Sequence, residues 1–280
     1  MIPYTLDFQF QIVGIGATSG LVLKGEVLYL VSDNSSFLYQ YKLQEKTLHK
    51  IKLLEDSEEN SSKKDKMDFE VLAQKGEKLY LFGSGSSSKR EKRISYHLGN
   101  KNVKVKDLTS IYKKMKEVGN ISDSDFNIEG AIFHHEKWIL FQRGNGESGQ
   151  NGLFEINKKK EIKFTTIALP SIQNTKATFT DALLVDDKIY FLAAAEASDS
   201  TYADGAILGS LIGCLSLPDF RLVFTQIITS AQKFEGLTFY KKTENQIEFL
   251  LCEDNDSEEL LSNIYKLTIQ LPDSNLIQKG

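Results

Sequence analysis

A chain of 280 residues with a formal net charge of −4 and only short basic clusters lacks the concentrated basic surface that phosphate neutralisation needs, which argues against nucleic acid as a partner. At 41% hydrophobic residues it can bury a substantial core, yet no apolar run approaches the roughly 20 residues of a bilayer span, and the N-terminus lacks the basic-then-apolar order of a signal peptide. The two cysteines, Cys214 and Cys252, lie in apolar runs with neither a disulfide framework nor a zinc spacing, so the expectation is a soluble, cytoplasmic monomer with buried thiols and no membrane partner.

In chain order the first predicted element is "YTLDFQFQIV", Tyr4 to Val13, which alternates as a strand does. Four short strand signals follow: "SGLVLK", "EVLYLVSD", "SFLYQYKL" and "LHKIKLL". The charged stretch "LEDSEENSSKKDKMD" then reads as a mobile surface loop. A second set of four comprises "FEVLAQ", "KLYLFGS", "RISYHL" and "VKVKDL". Next, "DLTSIYKKMKEVG" has helical spacing at Ile111, Met115 and Val118, with Thr109 or Ser110 as cap and Gly119 as stop. The third set is "EGAIFH", "KWILFQR", "GLFEI" and "IKFTTIAL"; the fourth is "DALLV", "KIYFLAA", "ILGSLIGCLSL" and "RLVFTQI". The last unit supplies three, "EGLTFY", "QIEFLLC" and "NIYKLTIQL". Its missing fourth strand is matched by the spare one at the N-terminus.

These repeats predict an all-β fold over residues 1–280 as one domain: a five-bladed β-propeller of four-stranded antiparallel blades, the last closed by the N-terminal strand. Each unit begins with a polar residue: Ser19, Glu70, Glu129, Asp181 and Glu235, at intervals of 51, 59, 52 and 54. The first strand of a blade lines the channel, so these five should meet around the axis. Four like charges there would repel unless they take up protons or hold a hard cation, and oxygen-only ligation suits calcium. A water-filled channel of ordinary polar residues stays open as the plainer reading.

Where each second strand runs out lies a second set: "SDNSS" with Asp33, "GSGSSSKR" with Lys89 and Arg90, "QRGNG" with Arg143, "AAEASDS" with Glu196 and "CEDND" with Glu253. These should share the face of the first ring and form a substrate site for a small anionic molecule: the "GSGSS" backbone N–H groups would hold the anion with Arg143, Lys89 and Arg90 adding positive charge, while Asp33, Glu196, Glu253 and Asp254 could hold water or a second cation. As the plainer reading, Arg143 is a surface ion-pair partner. His134-His135 falls in a predicted turn and reads as an exposed hairpin.

The succession "FEVLAQKGEKLYLFG", "IEGAIFHHEKWILFQRG", "FTDALLV" and "KFEGLTFY" resembles the calcium-activated nucleotidase (apyrase) family, and is more similar still to uncharacterised propeller proteins of bacteria. The resemblance implies a five-bladed propeller hydrolysing nucleoside di- and triphosphates around a central calcium. Its ligands would fall on Ser19, Glu70, Glu129, Asp181 and Glu235, and its phosphate-holding arginine on Arg143. Two departures stand out: an acid at Asp181 where the family has serine, and a paired arginine reduced to Arg143-Gly144. Three functions therefore stay open: a calcium-dependent phosphohydrolase, a lactone or ester hydrolase on the same metal, and a non-catalytic binding propeller with a structural ion.

Overall fold

The computed structural model describes residues 2–59, 61–62, 64, 66–197, 205–254 and 259–271. Strand β1 (Tyr4–Val13) is followed by the first blade, β2 (Thr18–Lys24), β3 (Val27–Ser32), β4 (Phe37–Lys42) and β5 (Thr47–Lys52). The second blade is β6 (Phe69–Lys75), β7 (Lys78–Gly83), β8 (Lys92–His97) and β9 (Val103–Asp107), and α1 (Thr109–Gly119) leads out of it. The third is β10 (Ile128–His134), β11 (Lys137–Gln142), β12 (Gly152–Ile156) and β13 (Ile162–Thr166). A two-stranded hairpin, β14 (Ser171–Ile172) and β15 (Thr175–Lys176), precedes the fourth blade: β16 (Thr178–Val185), β17 (Lys188–Glu196), β18 (Ile207–Ser216) and β19 (Leu222–Thr229). The last blade holds β20 (Lys233–Lys242), β21 (Gln246–Asp254) and β22 (Leu261–Gln270), and β1 pairs antiparallel with β22 from Tyr4↔Ile269 to Val13↔Leu261. Five four-stranded blades with the N-terminal strand closing the ring are what the repeat predicts.

The core is divided by the blades rather than pooled. Five apolar clusters each fill the gap between two neighbouring blades, as Phe141, Phe179 and Phe191 do between the third and fourth. Period-two strands make this possible, because each blade presents one apolar face to each neighbour. Cys214 and Cys252 are buried in these clusters, as expected of small hydrophobes.

Three local expectations need correcting. Helix α1 has Leu108 at its N-cap with no side-chain cap bond, and the Asp107 carboxylate accepts the Thr109 N–H at 2.9 Å instead. The helix stops at Asn120, which takes the left-handed conformation (φ 50°), while Gly119 is the last helical residue, where a Cβ would stand 2.9 Å from Ile121. The charged loop before β6 is not simply a solvated excursion. Its residues Lys66 and Asp68 are buried, and Lys66 pairs with Asp33 and Asp68. His134-His135 does fall in a hairpin: His134 pairs with Lys137 across a two-residue turn whose His135 and Glu136 are both left-handed.

Candidate metal centre on the propeller axis

All five inner strands carry the same irregularity. The ladder with the second strand skips one residue between Thr18 and Gly20, Phe69 and Val71, Ile128 and Gly130, Phe179 and Asp181, and Phe234 and Gly236. The skipped residues are Ser19, Glu70, Glu129, Thr180 and Glu235. A β-bulge leaves its extra residue out of the pairing and re-aims the side chain, which makes it a natural place for a site. The ring position in the fourth blade is therefore Thr180, not Asp181. The apparent acid in place of a hydroxyl was a one-residue slip of alignment.

The five positions have different fates. The Ser19 hydroxyl donates to the Phe69 carbonyl at 2.5 Å, and the Thr180 hydroxyl to the Phe234 carbonyl at 2.7 Å. Each hydroxyl ties its inner strand to that of the next blade. Asp181 does the same with its carboxylate, which accepts the Leu237 and Ala182 N–H groups, both at 2.7 Å. That leaves Glu70, Glu129 and Glu235 as the inner-strand carboxyls facing one another.

Glu70 is joined by two acids from neighbouring segments. Asp33, just past β3, and Asp68, just before β6, each place a carboxylate oxygen within 4.8 Å of one another and of a Glu70 oxygen. Asp33 Oδ1 is buried and has no hydrogen-bond partner among the described residues. This is an oxygen-only donor set with an unused buried acceptor, so the residues present fit a hard divalent cation. Asp33 thus stands in this acidic group with Glu70, although its strand-end position placed it in the second set.

Four basic groups compensate the acids. Lys66 bridges Asp33 and Asp68, and Arg90 Nη1 lies 2.9 Å from Asp68. Arg143 is buried; it reaches Glu196 at 2.6 Å, Glu129 at 3.2 Å and Glu235 at 3.9 Å. Lys233 reaches Glu235 at 2.8 Å, Glu196 at 3.1 Å and Asp254 at 3.5 Å. Arg143 is therefore the hub of a buried network rather than a surface partner. Burial pushes Glu129 up to about 7 against the pull of Arg143, and Glu235 up to about 7 against the pull of Lys233. Glu70 rises well above the carboxylate range through burial and the nearby Glu129. Glu196 moves the other way, to about 2, because Arg143 and Lys233 together outweigh its own desolvation.

Other strand-end residues are less central. The "GSGSS" loop turns inward: the Ser84 hydroxyl bonds Asp68, and Arg90 donates to Ser86 Oγ at 2.8 Å. Lys89 is exposed on the turn Ser88–Arg90. Glu253 accepts from Asn263 and Tyr265, both at 3.0 Å, which holds it against β22. Of "AAEASDS" and "CEDND", residues 198–200 and 255–256 lie outside the described residues.

Sequence reasoning missed Lys66, Asp68, Asn127 and Lys233. Three of these stand two residues before a bulge: Asp68 before Glu70, Asn127 before Glu129 and Lys233 before Glu235. Asn127 donates to Glu129 at 2.7 Å, and Thr178, at the same offset from Thr180, accepts from Arg143 Nε at 3.2 Å. Strand periodicity makes this second tier predictable once the ring is known.

The raised carboxyls imply a pH dependence. An acid whose folded value is raised from 4.5 to about 7 favours the folded state at low pH, and that contribution is lost as pH rises through 4.5 to 7. Each of Glu129 and Glu235 is worth on the order of 3 kcal/mol by this linkage. In chelator, the melting temperature should be higher at pH 5 than at pH 8, by roughly 5 °C or more. A flat or rising profile between those values would contradict the burial of these carboxyls.

A family model described as a family of unknown function (DUF6929) matches residues 14–269. No curated protein matches the chain. Among solved structures, the glutaminyl cyclase of Myxococcus xanthus is 10% identical, with a TM-score of 0.54 over 97% of this chain and 99% of its own. A luciferin-regenerating enzyme is 10% identical, with a TM-score of 0.52 over 97% of this chain and 98% of its own. An exo-1,5-α-L-arabinanase from a bovine ruminal metagenomic library is 10% identical, with a TM-score of 0.54 over 92% of this chain and 96% of its own. At this identity the likeness shows the propeller fold alone.

Proposed function

We propose that this chain, which belongs to the family of unknown function DUF6929, is a divalent-cation-binding propeller of the calcium type whose axial centre hydrolyses a small ester or lactone. The observation that carries the cation is the Asp33–Asp68–Glu70 group with its unpartnered buried oxygen. A hard cation held there would neutralise the clustered carboxylates and polarise a substrate oxygen. The surrounding chain contributes the rest. Glu129, oriented by Asn127 and Arg143, and Glu235, oriented by Lys233, are buried carboxyls that can exchange a proton with a bound substrate.

Hydrolysis at an uncharged carbonyl fits this site better than phosphoryl transfer, the chemistry suggested by the resemblance to calcium-activated nucleotidases. The arginines that would clamp a phosphate already donate to carboxylates: Arg143 to Glu129 and Glu196, and Arg90 to Asp68. An anionic substrate would have to break those pairs, which is costly for buried charges.

Calorimetric titration of chelator-treated protein should show binding of calcium, with Glu70→Gln and Asp33→Asn each weakening it at least tenfold and Glu253→Gln leaving it unchanged. Absence of heat and of any thermal shift with calcium, magnesium and manganese would end the metal reading. Turnover is tested on a panel of lactones, carboxylic esters and phosphate esters. Metal binding without turnover would make the protein a non-catalytic binding propeller, and turnover confined to nucleotides would restore the phosphohydrolase.

A further inference from the structure

The cleft between the second and third blades holds a cavity of about 250 Å³, separate from the axial residues, with an aromatic wall and a basic rim. Its central feature is Arg93. The guanidinium lies 4.9 Å from the Tyr80 ring, 5.7 Å from Phe82 and 5.9 Å from Trp138. Trp138 is itself wedged edge-on against Tyr80, Phe82 and Phe133 at 5.0–5.2 Å, so the bed under the arginine is fixed. Among the described residues Arg93 Nε is buried with no hydrogen-bond partner, and no carboxylate forms an ion pair with Arg93.

The rim adds Lys75, Lys106 and Lys160. Partial desolvation where their stems meet the cavity wall, followed by repulsion from neighbouring cations that include Arg93, lowers the pKa of both Lys75 and Lys106. Two acids also line the cavity, and neither pairs with Arg93: Asp107 accepts the Thr109 N–H at the start of α1, and Glu136 pairs with Lys158. On the axis of the same molecule Arg143 and Lys233 each contact two or more carboxylates. A buried guanidinium N–H without an acceptor, as at Arg93 Nε, costs roughly 1–3 kcal/mol, and surrounding it with more cations adds to that cost. The missing component is an anion.

We infer that this cleft is a second ligand site, for a small molecule that joins a phosphate or carboxylate group to a compact apolar or aromatic body. The guanidinium fork suits two-point binding of either group, and the lysines supply charge from the rim. The body would lie against Ile111, Leu140 and Ile156, which also line the cavity. A volume below the roughly 300 Å³ at which common ligand pockets begin limits that body to about one ring. The inference does not rest on the axial reading.

Phenyl phosphate is the probe, titrated calorimetrically in low salt with chelator, with inorganic phosphate and phenol as its two halves. Phenyl phosphate should bind, phosphate more weakly, and phenol not measurably. Arg93→Gln should weaken phenyl phosphate at least tenfold, the loss of one charge-assisted pair. The double variant Lys106→Ala, Lys160→Ala should weaken it several-fold, and Glu70→Gln should leave it unchanged. Both lysines are exposed, so the double variant carries the test if Arg93→Gln does not fold. No heat with phenyl phosphate at millimolar concentration, unchanged affinity in the lysine variant, equal binding of phenol, or loss of binding in Glu70→Gln would each overturn the inference.

Discussion

Removal of residues 1–13 should leave no soluble folded protein. Strand β1 is the fourth strand of the last blade, and without it the ten-residue strand β22 becomes an open edge. Ring closure protects edges in a propeller, and an unpaired edge of that length invites association with other chains. The packing loss adds to this. Ile12 is 1% exposed and belongs to the cluster between the first and last blades, while Tyr4 and Leu6 pack against the cluster between the fourth and last. Burying a residue such as Ile12 is worth roughly 1.5–3 kcal/mol, a large part of a stability of about 5–15 kcal/mol, before any ladder bond is counted. Phe8 and Val13 are exposed, so their loss is not what unfolds the chain. Soluble yield, gel filtration and circular dichroism of the truncated protein decide the matter. A peptide of residues 1–14 added during refolding should restore part of the yield, whereas a truncated protein that is soluble, monomeric and cooperative without it would show that closure is dispensable.

That closure was legible because strand periodicity is local and the count of strands is global. Four period-two runs recur four times, a fifth unit has three, and one run is left over at the other end of the chain. The ring of bulged inner-strand positions was legible to within one residue. Aligning units on the most conspicuous acid selected Asp181, because a carboxylate is easier to notice than a threonine. The bulge belongs to Thr180, and the residue numbers carry a trace of it: Ser19 to Glu70 and Glu129 to Thr180 are both steps of 51. What pattern could not show is which strand-end charges are spent. Arg143 and Arg90 read as free cations in sequence because their partners lie on other blades or other segments, and Lys66 was hidden in a stretch whose composition suggested solvent. Spatial pairing over such separations has no local signal. Among the described residues the arginine without an ion-pair partner is instead Arg93, in a strand that sequence gave no reason to single out.

Replacement of Arg143 by methionine should cost on the order of 3–5 kcal/mol at pH 7.5, the range for removing one partner of a buried pair. The size follows from what stays behind. Lys233 still reaches Glu235 at 2.8 Å and Glu196 at 3.1 Å, but Glu129 keeps just the Asn127 amide at 2.7 Å. The pH dependence separates this account from simple loss of packing. Arg143 is the largest influence opposing desolvation at Glu129, so its removal raises that carboxyl further above about 7. A carboxyl raised in the folded state stabilises folding at low pH and withdraws that stability as pH rises. The variant should therefore recover much of its deficit at pH 5, where Glu129 and Glu235 are protonated. It should not recover all of it, since Glu196, held at about 2 by Arg143 and Lys233, is still charged there and has lost one of its two partners. Adding Glu129→Gln to the variant removes a carboxyl that must take up a proton to stay buried at pH 7.5 and should return more than about 1 kcal/mol there, the coupling expected of residues in one network. Urea unfolding of the wild type and the two variants at pH 5 and 7.5 tests each part. A deficit of the same size at both pH values, or no gain from the second substitution, would mean that Arg143 stabilises the axis by filling space and not by holding its carboxylates.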